Sequence, residues 1–140
     1  MSYKYLSTDC INGEPNGLVY FSLKAWFAIC DTGHSWRNWL PFESTDSAVY
    51  CMQEDSICGV LVYHKLPQHK KIIVEIAYVD PDHRGAGIYD TMYDLLYDIL
   101  KDHPYHVIES LVHTTNKRMM EKIEKHDRDI SFYTVRKKIN

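Results

Sequence analysis

The feature that most constrains the fold is a strand-to-helix junction at residues 79–92, VDPDHRGAGIYDTM. A run of β-forming residues ends at Pro81, which cannot donate a hydrogen bond to a neighbouring strand. Gly85 and Gly87 lack the β-carbon that would keep a ligand from the backbone, and the helix beginning at Ile88 presents unpaired N–H groups and the positive end of its dipole. The junction predicts a site for an anion such as a diphosphate; a tight turn without a ligand is the alternative.

The remaining elements are predicted from the spacing of apolar residues. Before the junction the pattern indicates a strand, a helix, an aromatic-rich loop or short helix, and three antiparallel strands in series; these span residues 3–8, 18–29, 31–46, 48–52, 58–65 and 70–80. After it, a helix runs to a stop at His103–Pro104, and a strand, a helix and a final strand follow at 107–113, 117–125 and 130–139. Strands interspersed with helices predict a layered, mixed α/β sheet, not a doubly wound parallel one.

Length and composition narrow the class of protein. A chain of 140 residues without a linker or an internal repeat is expected to form one domain, residues 1–140. The net charge of −3 gives no reason to expect sequence-independent binding to nucleic acid. The strongest apolar run, residues 72–79, is short and contains Glu75, so we expect no membrane association and a cytoplasmic location.

The four cysteines predict reduced thiols in the core. No two of them form a Cys-x-x-Cys pair, and four scattered cysteines in a domain of this size are more typical of buried thiols than of a disulfide framework. The close ligand pairs of a zinc site are also missing. We therefore predict that the protein uses no metal.

The junction resembles motif A of the GNAT superfamily of acyl-CoA N-acyltransferases, written R/Q-x-x-G-x-G/A after a strand ending in Val-x-Pro. Val79 to Pro81, Arg84 and Gly87 match this motif, whereas Tyr89 occupies its last, normally small, position. The alternative register places both glycines correctly but puts Asp82 where Arg or Gln is expected. Gly59 in the third strand and Asn116 at the start of a later helix are also similar to the family pattern.

The resemblance implies a mixed, mostly antiparallel, twisted sheet flanked by helices, and acetyl-CoA as co-substrate. In the family the pantetheine arm inserts between the fourth and fifth strands and bonds the fourth-strand backbone, while the loop after that strand holds the diphosphate. By position, the implied cofactor-binding residues are Ala77, Val79, His83, Arg84, Gly85, Ala86, Gly87, Ile88 and Asn116.

Acyl transfer to an amine requires a proton acceptor, because a lysine-like amine with a pKa near 10.4 is mostly protonated at neutral pH. Glu75 is the first candidate: a period of two places it on one face with Ile73, Ala77 and Val79, where partial burial is expected to raise its pKa. A solvated Glu75 is the alternative.

Other catalytic candidates lie on the fifth and sixth predicted strands. Glu109 and His113 are the alternative bases, although a structural histidine is the more ordinary interpretation of His113. The family's usual proton donor, a tyrosine seven residues after the asparagine, is replaced here by Ile123, so Tyr133 is the remaining candidate acid. A core tyrosine is its alternative.

Two further patterns bear on partners. Aromatic residues near the first helix either shape an acceptor pocket or fill the core; they are Trp26, Phe27, Trp36, Trp39 and Phe42. Aspartates recur every four residues from Asp90 to Asp102, as expected for a solvated face, a docking surface for a basic partner, or a homodimer surface.

The leading hypothesis is N-acetylation of a primary amine, on a small molecule or a protein, by direct attack on acetyl-CoA. The missing tyrosine acid and Tyr89 in the loop support an alternative, a non-catalytic GNAT-like protein that binds CoA or another protein, such as a viral accessory factor. A nucleic-acid-binding function lacks any recognition motif. The identity of the amine acceptor is not predicted.

Overall fold

The computed structural model describes residues 2–32, 40–111, 121, 129–131 and 134–139. Within these ranges the chain forms two α-helices and seven strands, with short 3₁₀ turns at Ile11–Gly13, Pro67–His69 and Pro81–His83. In chain order they are β1 (Lys4–Thr8), α1 (Leu18–Asp31), β2 (Ser47–Gln53), β3 (Ser56–Leu66), β4 (Lys71–Val79), α2 (Ile88–Leu100), β5 (Val107–Leu111), β6 (Asp129–Ser131) and β7 (Thr134–Lys138).

The strands form one sheet in the order β1-β2-β3-β4-β5-β7-β6. β4 and β5 are parallel, and every other neighbouring pair is antiparallel. This confirms the predicted mixed, mostly antiparallel sheet. The single strand predicted at residues 130–139 is wrong: the chain forms β6 and β7, and Ser131 pairs with Thr134 as the two strands reverse. The predicted helix at 117–125 lies outside the described residues, apart from Glu121, which is helical.

The two helices cover opposite faces of the sheet. Side chains alternate between the two faces along β3. Val60 and Val62 pack in a core beneath α1, and Leu61 and Tyr63 pack in a second core beneath α2. On each side the apolar stripe of the helix completes the core that the strand alternation begins. Across the described ranges, the helices are too short or too polar to span a lipid bilayer.

Glycine defines where α2 begins and how closely it approaches the sheet. Gly87 is the N-cap of α2 with φ 77°, and a β-carbon there would find no atom within 4 Å. Gly59 on β3 lies directly below the first turn, where a β-carbon would come within 3.0 Å of the Ile88 Cγ2 atom and 3.4 Å of the Met92 Cε atom. The absent side chain at Gly59 therefore allows the N-terminus of α2 to rest on the sheet.

The cysteines are free thiols. Cys51 and Cys58 are buried in the core beneath α2 with their Sγ atoms 3.4 Å apart, as predicted for core thiols. Burial raises the pKa of the Cys51 thiol to about 12. Cys10 and Cys30 are only half-buried, so the prediction of core thiols is wrong for these two.

Candidate functional site

Within the described residues, the second half of β4 is paired on one side only. Its parallel pairing with β5 runs from Lys71 opposite Val107 to Val74 opposite Ser110. Within the described residues the pairing ends there, while β4 continues to Val79 along β3. One side of residues 75–79 is therefore not covered by a described strand.

The main chain of Ala77 and Val79 is directed to that uncovered side. The N–H of Asp80 donates to the carbonyl of Cys58 on β3, at 2.8 Å. Successive peptide groups along a strand point to opposite sides, so the N–H and C=O groups of Val79 point away from β3, as do those of Ala77 two residues earlier. Ala77 can bond an extended ligand along β4 through its N–H and C=O groups, and Val79 through its N–H, since the Val79 carbonyl already accepts from Arg84.

A β-bulge interrupts β4 at Glu75. Val62 pairs with Ile76 but the next residue of β3, Tyr63, pairs with Val74, which leaves Glu75 as the extra residue. Val74 packs with the core beneath α2, whereas Ile76 belongs to the core beneath α1. The sequence prediction that Glu75 shares one face with Ile73, Ala77 and Val79 by strict alternation is therefore wrong. Ala77 and Val79 do share a face, the one covered by α2.

The loop after β4 presents four amides at its exposed end. The N–H groups of Asp82, His83 and Arg84 are used within the loop, by the Asp80 side chain, the Asp80 carbonyl and the Pro81 carbonyl. Those of residues 85–88 take part in no hydrogen bond recorded within the described part of the chain. Gly85, like Gly87, has a positive φ, 87°, and open space where a β-carbon would stand.

These amides fit an anion. The first N–H groups of a helix have no partner inside the helix and lie at the positive end of its dipole. Residues 85–88 join such a helix start to an exposed glycine turn, so a diphosphate can approach the backbone closely. The loop amides before Gly85 do not contribute, since the loop itself already uses them.

The side chains of His83 and Arg84 contact residues outside the glycine turn. Arg84 donates from Nε to the carbonyl of Val79 at 3.0 Å, and its guanidinium lies 5.4 Å from the ring centre of Tyr78. His83 contacts the hydroxyl of Tyr3 through Nδ1 at 3.2 Å. Arg84 is exposed, and its terminal nitrogens carry donors that suit a phosphate.

Beside the bulge lies a histidine–carboxylate pair that the sequence analysis did not single out. His64 Nδ1 is 2.6 Å from Oδ1 of Asp46, whose side chain is 4% exposed while that of His64 is 42% exposed. The hydrogen bond to Asp46 is the main cause that raises the pKa of His64; burial opposes it, and the charges of Asp46, Glu75 and Glu43 add to it.

The register of the β2–β3 hairpin could have revealed this pair. Ser47 pairs with Tyr63, so the next position outward places Asp46 opposite His64. Eighteen residues separate the two, and no short motif connects them, so only the register carries the signal.

The other predicted catalytic residues are less informative. Glu109 forms an ion pair with Lys71 at 3.6 Å, in the section where β4 and β5 are still paired, so it does not border the uncovered side of β4. His113, Asn116 and Tyr133 lie outside the described residues. Among the described residues, no group of three or more His, Cys, Asp or Glu side chains could hold a metal ion.

The aromatic residues proposed for an acceptor pocket separate into two groups. Trp26 and Phe42 are buried in the core beneath α1, so they stabilise the fold and do not line an open pocket. Phe27 is 64% exposed. Trp36 and Trp39 lie outside the described residues.

A comparison with protein-family models identifies one family. The sequence model described as "Acetyltransferase (GNAT) family" matches residues 17–127. No curated protein sequence matches the chain. Many solved structures share its fold.

Three of these structures illustrate the range. The ribosomal-protein-S18-alanine N-acetyltransferase of Escherichia coli aligns with a TM-score of 0.72 at 12% identity, over 99% of this chain and 95% of its own. YncA of Salmonella typhimurium, solved with its cofactor acetyl-CoA, aligns with a TM-score of 0.75 at 9% identity, over 100% of this chain and 95% of its own. The N-acetylglutamate synthase of Neisseria gonorrhoeae, complexed with coenzyme A and N-acetyl-glutamate, gives 0.68 at 7% identity, over 98% of this chain and 35% of its own.

Proposed function

Because the chain belongs to the GNAT acetyltransferase family, we propose that it transfers the acetyl group of acetyl-CoA to a primary amine by direct attack. One observation carries the proposal: the uncovered side of β4, the outward backbone of Ala77 and Val79 and the amides of residues 85–88 follow one another along a single segment. An extended arm with a diphosphate at its end matches that sequence of groups.

Each part of this segment has a separate task. Acetyl-CoA supplies the acetyl group, activated as a thioester. The backbone groups of Ala77 and Val79 would hold the pantetheine arm by strand-like hydrogen bonds. The amides of residues 85–88 would bind the diphosphate, and the exposed guanidinium of Arg84 would add a charged donor. Of these two residues Ala77 lies nearer Glu75, and its N–H suits the thioester carbonyl oxygen as negative charge develops on it.

Glu75 is the proposed general base. A primary amine with a pKa near 10.4 is mostly protonated at pH 7, and removing that proton costs about 4–5 kcal/mol. Glu75 lies where the pairing of β4 with β5 has just ended, and it is half-buried. The bulge takes its side chain out of the regular alternation of β4, which allows a carboxylate to be present in an apolar strand.

The proposal is tested by calorimetric titration with acetyl-CoA, followed by a thiol-release assay over a panel of amines. We expect saturable binding and turnover with at least one amine. Binding without turnover would favour the non-catalytic alternative. The absence of binding would exclude both acetyl transfer and non-catalytic binding of CoA.

The role of Glu75 is tested by Glu75→Gln, which keeps the size of the side chain and removes the base. We expect kcat to fall by about 10²–10⁴-fold, the usual contribution of a positioned proton acceptor, while the affinity for acetyl-CoA is retained. Glu54→Gln, at the exposed tip of the β2–β3 hairpin, is the control. Wild-type kcat in Glu75→Gln would exclude Glu75 as the base.

A further inference from the structure

Asp46 fixes the orientation of the His64 ring. Its Oδ2 accepts the N–H of Glu43 at 2.9 Å, its Oδ1 contacts His64 Nδ1 at 2.6 Å, and the residue is 5% exposed. A carboxylate held in this way requires a donor on Oδ1, so the ring nitrogen that faces it carries a proton. The second nitrogen, Nε2, is then the proton acceptor of the neutral ring, directed away from Asp46.

This oriented histidine belongs to the same part of the sheet as Glu75. His64 on β3 is opposite Ile73 on β4, and Tyr63 is opposite Val74, so the bulge at Glu75 directly follows the β4 residues that pair beside His64. Tyr63 packs beneath α2, so the next residue, His64, is on the α1 face of the sheet. The charge of Glu75 is one of the smaller causes that raise the pKa of His64, after the hydrogen bond and the charge of Asp46.

The reaction proposed above leaves one proton to be removed. An ammonium acceptor gives up two protons when the C–N bond forms and the C–S bond breaks. One proton is taken by the departing sulfur, and the other must reach solvent. Glu75 lies at the bulge within the sheet, and the His64 side chain is 42% exposed.

We propose, on the basis of the acetyl transfer proposed above, that His64, oriented by Asp46, receives the proton that Glu75 removes from the acceptor amine and delivers it to solvent. His64 thus acts through Glu75 and resets it for the next turnover. Its titration is governed by the groups that face it, which are Asp46 and Glu43 from the segment before β2 and Glu75 from β4. All three are acidic, and they raise the pKa of the imidazole above its ordinary value, with the hydrogen bond to Asp46 as the largest cause.

The decisive variant is His64→Gln, assayed over pH 6.5–10 at saturating acetyl-CoA with the amine found in the panel. We expect kcat at pH 7 to fall by about a hundredfold, the low end for a lost proton transfer, with an unchanged KM for acetyl-CoA. The ratio of wild-type to variant kcat should decrease at least about tenfold as the pH approaches the pKa of the acceptor amine, near 10.4, because the amine then binds in its neutral form. His69→Gln, on the exposed turn before β4, is the control and should keep the wild-type profile.

A measurement without turnover tests the same contact. The imidazole nitrogens of His64, followed by ¹⁵N NMR, should show the proton on Nδ1 in the neutral ring, and the pKa of His64 should fall in Glu75→Gln. An unchanged pKa in Glu75→Gln would overturn the relay, as would wild-type kcat in His64→Gln or a loss equal at every pH. A wild-type chain that turns over no amine would overturn the acetyl transfer itself and the relay with it, so the two failures are distinguishable.

Discussion

The sharpest test of the cofactor site is Gly87→Ala compared with Gly17→Ala. Gly17 is the N-cap of α1 with φ 78° and ψ 27°, and Gly87 is the N-cap of α2 with φ 77° and ψ 17°. Neither helix start has a side-chain cap, and a β-carbon at either glycine would find no atom within 4 Å. The two substitutions therefore impose the same backbone strain, and only Gly87 lies beside the proposed diphosphate site.

The magnitudes follow from this geometry. A left-handed conformation costs an L-residue about 1–2 kcal/mol, so both variants should lose that amount of unfolding free energy. For a chain of this size the loss corresponds to a decrease of about 3–7 °C in Tm. At Gly87 the added methyl group also obstructs the amides of the turn. The loss of one charge-assisted hydrogen bond, about 1.5–3 kcal/mol, weakens acetyl-CoA binding by about 10–150-fold.

Scanning calorimetry gives the change in stability. Titration calorimetry with acetyl-CoA, at a temperature below the Tm of both variants, gives the Kd. The expected result is equal destabilisation with a weakened Kd in Gly87→Ala alone. If both variants bind acetyl-CoA as the wild type does, the amides of residues 85–88 do not hold the diphosphate, and the argument from the junction is refuted.

Two further predictions concern stability. Gly59→Ala should lower the free energy of unfolding in urea by about 1–3 kcal/mol, because its β-carbon would come within 3.0 Å of Ile88. Gly13→Ala, whose β-carbon would find no atom within 4 Å, should change that free energy little. Equal effects of the two substitutions would contradict the close approach of α2 to the sheet. Asp46 raises the pKa of His64, so the stability that the pair adds over His64→Gln should be complete below about pH 6.5 and lost as the pH rises through the raised pKa of folded His64. An equal difference in unfolding free energy between wild type and His64→Gln at pH 5.5 and at pH 8.5 would contradict this prediction.

The parts of the fold that sequence could predict are those encoded locally. The spacing of apolar residues predicted the start of α2 at Ile88, and Pro81 with the two glycines marked the loop. The helix ends at Leu100, before the predicted stop at His103–Pro104. The hairpin between β2 and β3 followed from its turn. In each case the signal lies within a few residues of the feature, so no long-range contact was needed to recognise it.

The bulge at Glu75 could not be predicted in the same way. The pattern of residues 72–79, IIVEIAYV, predicts an uninterrupted strand. Strict alternation then assigns each of its side chains to one face of the sheet. The extra residue is visible only in the pairing with β3, where Val62 and Tyr63 contact Ile76 and Val74. Likewise, the contact of His64 with Asp46 depends on the register of two strands, so the residue types alone did not suggest it.

The bulge and the uncovered side of β4 begin at adjacent residues, and this connects the two halves of the proposed site. Among the described residues Val74 is the last of β4 paired with β5, and Glu75, the next, is the residue that the ladder with β3 leaves out. A bulge bends its strand and increases the local twist, which turns the second half of β4 away from a neighbour that paired regularly with the first half. The same inserted residue would then open the space for the pantetheine arm and present the carboxylate at its inner end. A base supplied in this way is positioned by the sheet itself and not by a mobile loop.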